Sequence, residues 1–225
     1  MDKSRFTWLM AIFLVLVLAL PVSADAVDIK PAGYAGKNFG GARLGVWNNL
    51  GDEEPVSDLD LAAEFSKASF YGEFFYAHRI APALAVEFAL GMYSRGDIEF
   101  INEGNTYLGA VNLYPFIVTA KFFPLASVKG LKFFPYIQAG GGVYYGKRDE
   151  IDVYYSFYDD EIWKQESETK ISYTFGGGID FAIADQIGIT MNARYTPIKF
   201  GSALAGYKDY SNWDITIGAG YLFKK

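Results

Sequence analysis

NWDITIGAGYLF, residues 212–223, alternates from end to end. Trp213, Ile215, Ile217, Ala219, Tyr221 and Phe223 fall on one side of an extended strand, and Asn212, Asp214, Thr216, Gly218 and Gly220 on the other. Successive side chains of a strand point to opposite faces, so the stretch predicts one apolar wall and one polar wall. A soluble sheet can carry the same pattern. The fold therefore turns on whether the rest of the chain repeats it.

It does. Working upstream, Ile187, Ile189, Met191, Ala193 and Tyr195 oppose Gly188, Thr190, Asn192 and Arg194 over residues 187–196. Residues 169–181 alternate most cleanly, with Ile171, Tyr173, Phe175 and Ile179 against Lys170, Ser172, Thr174 and Asp180. Further strands are expected over residues 136–146, 111–123, 84–93, 67–77 and 38–47. Leu59, Leu61, Ala63 and Phe65 alternate in the opposite phase ahead of residue 67, which reads as a loop extension with a β-bulge. Long polar connections follow the first, third, fifth and seventh strands, and short turns such as residues 78–82 and 184–186 follow the others. An even number of amphipathic strands of about ten residues, joined alternately by long and short connections, describes a transmembrane barrel. The fold class is all-β: an eight-stranded antiparallel up-and-down transmembrane β-barrel over residues 38–225. A soluble barrel of the same strand number would turn its apolar face inward. Aromatic residues near the strand ends fit two interfacial girdles: Phe75, Phe122, Phe123, Phe134, Tyr136, Phe181, Tyr221 and Phe223 at one rim, and Trp47, Tyr93, Tyr145, Tyr173, Tyr195 and Trp213 at the other.

The start of the chain has another purpose. Lys3 and Arg5 precede an apolar run over residues 8–20, then Pro21 and Val22-Ser23-Ala24. A basic start, an apolar run short for a membrane span and small residues before the cut describe a secretory signal peptide, residues 1–24, cleaved after Ala24. Residues 25–37 form a polar periplasmic lead. The full chain carries a net charge of −6, and losing Asp2, Lys3 and Arg5 makes it more acidic by one. Nucleic acid is excluded as a partner, because phosphate binding rests on Lys and Arg clusters. The absence of cysteine removes disulfides, thiolate metal sites and thiol nucleophiles. After the first segment no apolar run is long enough for a membrane helix, and lipid admits only helices or closed barrels.

The mature region resembles the eight-stranded outer-membrane β-barrel superfamily that includes outer-membrane proteins A, X and W. The resemblance rests on GGGIDF (residues 176–181), the Ala-Asp-Gln turn, MNARY (residues 191–195) and the ending, in which Thr216, Gly218, Tyr221 and Phe223 match the superfamily's barrel-assembly signal. YPFIVTAKFFP and KFFPYIQAGGGVYYG lean toward protein W-like members. The resemblance implies export to the bacterial outer membrane, recognition by the barrel-assembly machinery, and contact with outer-membrane lipid and lipopolysaccharide.

The function must be sought in the interior. Arg43, Glu73, Glu87, Lys121, Lys170, Asp180, Arg194 and Asp214 are the charged residues expected on the inner face. An eight-stranded barrel is just filled by side chains, and buried charges persist only when paired, so these eight are expected to form an ion-pair network that plugs the lumen. Asp214 is expected to meet Arg194 or Arg43 from its flanking strands. Pro115, which cannot donate to a ladder, and two glycine triplets, Gly140, Gly141 and Gly142 with Gly176, Gly177 and Gly178, mark a candidate lateral gap; the plainer reading is curvature or room for neighbouring rings. No cofactor and no metal site is expected. His78 reads as a solvated turn residue without the partners a general base needs, and no enzyme activity is expected. The acidic, tyrosine-rich residues 147–168 read as a solvated surface loop. The expected role is a structural and surface-interaction barrel with a plugged lumen. The alternative, suggested by the protein W resemblance, is a passive conduit for small hydrophobic molecules.

Overall fold

The computed structural model describes residues 37–51, 68–102, 105–128, 130–151, 165–204 and 207–223. The expected signal peptide, most of the lead, the bulge before residue 67 and the middle of the acidic loop lie outside these residues. Among the described residues ten strands run in order: β1 (Asn38–Asn49), β2 (Ala68–Ala81), β3 (Leu84–Asn102), β4 (Asn105–Phe122), β5 (Phe133–Ile151), β6 (Gln165–Ala182), β7 (Ile187–Thr196), β8 (Lys199–Leu204), β9 (Tyr207–Asp209) and β10 (Asn212–Phe223). Eight of them close an antiparallel barrel in the order β1-β10-β7-β6-β5-β4-β3-β2. Strand β10 completes the cylinder against β1, from Asn38 opposite Phe223 to Asn49 opposite Asn212. Closure leaves no open sheet edge, which is what a chain crossing lipid requires of its backbone.

The apolar face is outside. Ile171 is 76% exposed and Phe74 72%, whereas Arg43 and Arg194 are fully buried. A water-soluble barrel would show the reverse, so this surface is built to face hydrocarbon.

Four strands run further outward than the alternation suggested. β3 and β4 continue outward to a pairing of Asn102 with Asn105, and β5 and β6 to a pairing of Asp149 with Gln165. Residues 94–109 and the flanks of residues 147–168 are therefore largely strand rather than connection. The β3–β4 register shifts between Arg95 and Ile98, and such an irregularity breaks the two-residue period from which strands are read. At the opposite end β2 continues through His78 to Ala81, leaving a turn of only two residues. The long polar connection expected after the seventh barrel strand contains β8 and β9, a two-stranded sheet separate from the barrel.

Candidate functional site

The two-residue period carries every second side chain of each strand into the lumen, and the register decides which of them meet. Arg43 lies directly opposite Glu73, and Arg194 directly opposite Asp214. Arg43 Nε stands 2.7 Å from Glu73 Oε1, and Arg43 Nη2 donates to Glu87 Oε1 at 2.5 Å. The other oxygen of Glu87 lies 2.5 Å from Lys121 Nζ. Across the lumen, Arg194 Nη2 donates to Glu73 Oε2 at 2.7 Å, and its Nε donates to the two Asp214 oxygens at 3.1 and 3.2 Å. The result is one alternating chain, Lys121–Glu87–Arg43–Glu73–Arg194–Asp214. Its charges cancel, and it joins β4, β3, β1, β2, β7 and β10. Tyr71 donates its hydroxyl to Glu73 at 2.7 Å and accepts from Arg194 at 3.3 Å.

The remaining two of the eight expected charges are both on β6. Lys170 occupies the inner face of β6 opposite Tyr144, near the long-hairpin end, and is only half-buried. Asp180, ten residues further along β6, is buried and lies within electrostatic reach of Lys121. Between these two positions the inner faces of β5 and β6 carry no charge, while Arg194 of β7 lies level with Gly176. Gln138 and Tyr136 donate to Asn192 at 2.6 and 3.2 Å, and Thr196 donates to Thr174 at 3.0 Å.

Rings pack above and below the charges. Toward the long hairpins, Trp47 lies 5.5 Å from Tyr71 and 4.9 Å from Tyr93, which is opposite the buried Leu113. Toward the short turns, Phe39 meets Phe75 edge-on at 5.0 Å and Phe123 lies 5.5 Å from Tyr136. Arg43 sits 4.2 Å over the Phe75 ring and Lys121 4.0 Å over Tyr136, so cation–π contacts tie the charges to the rings beneath them. This corrects the girdle assignment. Trp47, Tyr93, Phe75, Phe123, Phe134 and Tyr136 point inward and are buried, while Phe122, Tyr145, Tyr173, Tyr221 and Phe223 face out. The signal was already in the sequence, since Trp47 shares the phase of Arg43, and Phe75 that of Glu73. Large inward rings need small residues across from them: a Cβ on Gly91 would lie 2.8 Å from the Tyr71 ring.

At the long-hairpin end the β8–β9 ribbon packs against β5 and β6. Ile198, Phe200, Leu204, Tyr207 and Tyr210 are all buried, and the position of a Cβ on Gly146 of β5 lies 2.5 Å from Leu204 and 3.1 Å from Phe200. Glu168 on β6 holds the ribbon from the rim, accepting from the N–H groups of Gly201 at 2.6 Å and Ser202 at 2.8 Å and from the Ser202 hydroxyl. The Ser202 hydroxyl, with those two backbone donors, holds the Glu168 carboxyl below its ordinary value of 4.5. Neither this clasp nor the ribbon was legible from the alternation.

The glycine triplets lie on neighbouring strands but are not opposite one another. Gly140, Gly141 and Gly142 face Thr174, Tyr173 and Ser172, whereas Gly176, Gly177 and Gly178 face Gln138, Ile137 and Tyr136. The register through both triplets and through Pro115, opposite Tyr144, is unbroken. Among the described residues the wall has no gap there. A Cβ on Gly142 would stand 2.6 Å from the Phe116 carbonyl, so these glycines serve close approach of neighbouring backbones. Within the expected assembly signal, Thr216 and Gly218 are on the inner face, while Tyr221 and Phe223 face out with ring centroids 5.1 Å apart. His78 is exposed on β2 rather than in a turn.

A family model for the outer membrane protein beta-barrel domain matches residues 12–223. Among solved structures, the outer membrane protein OprG from Pseudomonas aeruginosa is similar at 16% identity, over 86% of this chain and 99% of that one, with a TM-score of 0.59. Ail, the attachment invasion locus protein of Yersinia pestis, is similar at 18% identity, over 84% of this chain and 99% of that one, with a TM-score of 0.53. At such identities these two likenesses speak for the fold alone. No curated protein matches the sequence. The family match covers nearly the whole chain and agrees with the closed cylinder and its lipid-facing surface, and the chain belongs to the outer membrane protein β-barrel domain family.

Proposed function

We propose that the protein is a closed, non-catalytic outer-membrane barrel whose role is structural and whose outer loops make surface contacts. The observation that carries this reading is the unbroken chain of six paired charges, packed between ring layers in a lumen that eight strands leave barely wide enough for side chains. Those acids and bases are engaged with each other, which suits a plug better than a reactive centre. On the lipid side, the mutually contacting rings of Phe175, Tyr195 and Trp213, 5.3 to 6.4 Å apart, would anchor the barrel in the outer leaflet among lipid and lipopolysaccharide.

Planar-bilayer recording of the purified barrel tests the proposal. The expected trace is silent at moderate voltage. A large, stable open conductance would defeat the plug. Faster uptake of small hydrophobic molecules by cells containing the protein than by cells lacking it would favour the conduit instead.

A further inference from the structure

Beside the charge chain lies a polar block that the ion pairs do not engage. On the inner faces of β7 and β10, Asn192 lies directly opposite Thr216 and Thr190 directly opposite Gly218. Thr190 is fully buried, and Asn192 and Thr216 are each 2% exposed. The ladders flank them with Gly178 of β6, opposite Asn192, and Gly45 of β1, opposite Thr216. With Gly218, these neighbouring inner-face positions contribute no side chain. Tyr136 and Gln138 both donate to Asn192 Oδ1, which fixes the amide with Nδ2 turned the other way. Among the described residues, Asn192 Nδ2, Gln138 Oε1 and the hydroxyls of Thr190 and Thr216 meet no hydrogen-bonding partner. Arg194, next along the inner face of β7, and Arg43, opposite Gly218, each keep one guanidinium nitrogen, Nη1, in the same condition. Two other lumen hydroxyls behave differently. Thr196 donates to Thr174 at 3.0 Å and Thr174 donates to Tyr195 O at 3.1 Å, although both side chains are just as buried.

We propose that this block, Thr190, Asn192 and Thr216 with Gln138, is a binding site for water inside the lumen. A buried donor or acceptor without a partner carries its full desolvation cost, and buried polar groups of folded proteins are almost always satisfied. The chemistry of the block selects the occupant. It combines amide and guanidinium donors, one carbonyl acceptor and two hydroxyls that can do either, and a bound water both donates and accepts. An anion would meet Gln138 Oε1 and would have Asp214 and Asp180 beside it, the first next along β10 and the second opposite Thr190. A metal cation would meet the amide and guanidinium donors. Water satisfies both kinds of group. It also completes the solvation of two guanidinium groups whose other nitrogens are already engaged by carboxylates, so the plug is hydrated rather than dry. Bound water here is compatible with a silent or a conducting barrel, and its test is separate from the bilayer recording.

The paired hydroxyls of Thr174 and Thr196 supply an internal comparison. In water-edited solid-state NMR of the full barrel in lipid vesicles, magnetisation from water should reach the Thr190 and Thr216 methyls about twofold faster, or more, than those of Thr174 and Thr196. Thr216→Val deletes the hydroxyl and keeps the shape of the side chain. With water bound, its denaturant midpoint should fall, because the water loses a partner. In a dry lumen the midpoint should hold or rise, because an unsatisfied group has been removed. Thr196→Val, which breaks a direct bond to Thr174, should lower the midpoint in either case and calibrates the assay. Thr190→Val serves if Thr216→Val does not fold, and heat-modifiable gel mobility confirms a folded barrel for every variant. Equal build-up at all these threonines would overturn the proposal, as would a Thr216→Val midpoint at or above that of the parent. A parent midpoint that shifts when sodium replaces choline at constant ionic strength, with no shift in Thr216→Val, would mark a bound cation and overturn it too.

Discussion

The middle of the charge chain makes a sharp prediction. Replacing Glu73 by Leu removes the shared partner of Arg43 and Arg194, each 2.7 Å away. Three buried cations then face two carboxylates, since Glu87 is already engaged by Lys121 at 2.5 Å. Replacing Arg43 by Met leaves the opposite imbalance, with three carboxylates and two cations. Removing one partner of a buried pair costs about 3–5 kcal/mol because a charge is stranded in low dielectric. The double variant Arg43→Met/Glu73→Leu behaves differently. It leaves two complete pairs, Lys121 with Glu87 and Arg194 with Asp214 at 3.1 Å, and puts apolar side chains beside the Phe75 ring. Its remaining cost is about 1–3 kcal/mol, mainly the Tyr71 hydroxyl losing its acceptor. The double variant should therefore be more stable than either single one, with a coupling of at least about 3 kcal/mol. Denaturant unfolding in lipid vesicles measures this, followed by tryptophan emission, with Trp47 packed directly against Tyr71. An unchanged denaturant slope is needed before midpoints are compared. A double variant as unstable as the sum of the singles would refute the network as drawn, as would single variants within about 0.5 kcal/mol of the parent.

Other expectations concern the wall and the rim. Ile217→Arg places a charge on the lipid face, and should cost about 2–4 kcal/mol near the midplane in vesicle unfolding; a neutral result would mean the exposed face is not in hydrocarbon. Gly91→Val drives a side chain into the Tyr71 ring and should cost about 1–3 kcal/mol in the same assay, with no effect if Tyr71 is not seated there. The depressed Glu168 value means that its bonds to the ribbon hold at full strength above the ordinary 4.5 and weaken as pH falls through the lowered value. Titration of its carboxyl by NMR should show a midpoint below 4.5, moving upward in Ser202→Ala; a midpoint at or above 4.5 in the parent contradicts the clasp.

How much was legible can be judged at single residues. Arg43, Glu73 and Asp214 were placed on the inner face from their phase alone, because facing is a local property of an extended chain. The same phase placed Trp47 and Phe75 inside. Aromatic character near a strand end suggests a girdle, but parity decides which face a ring takes. The outer ends of β3 and β4 were hidden because the irregularity between Arg95 and Ile98 interrupts the period. The β8–β9 ribbon was hidden because its strands are short and its stability comes from seating on Gly146 and Glu168, far away in sequence.

The sequence by itself determined the class of fold, the lipid-facing and lumen-facing sets, and the neutral balance of the interior charges. Tertiary structure decided the partners. Asp214 meets Arg194 through strand neighbours, but Glu73 reaches Arg194 past β1 and β10, and Arg43 reaches Glu87 past β2. Lys170 and Asp180, ten residues apart on β6, differ in height by sequence spacing alone, but which residues of β5 and β7 come level with each depends on the register. Facing repeats every two residues and is set locally, whereas height in a barrel depends on how far each strand is staggered when the cylinder closes. That stagger belongs to all eight strands together, so which charges meet across the lumen is settled only on closure.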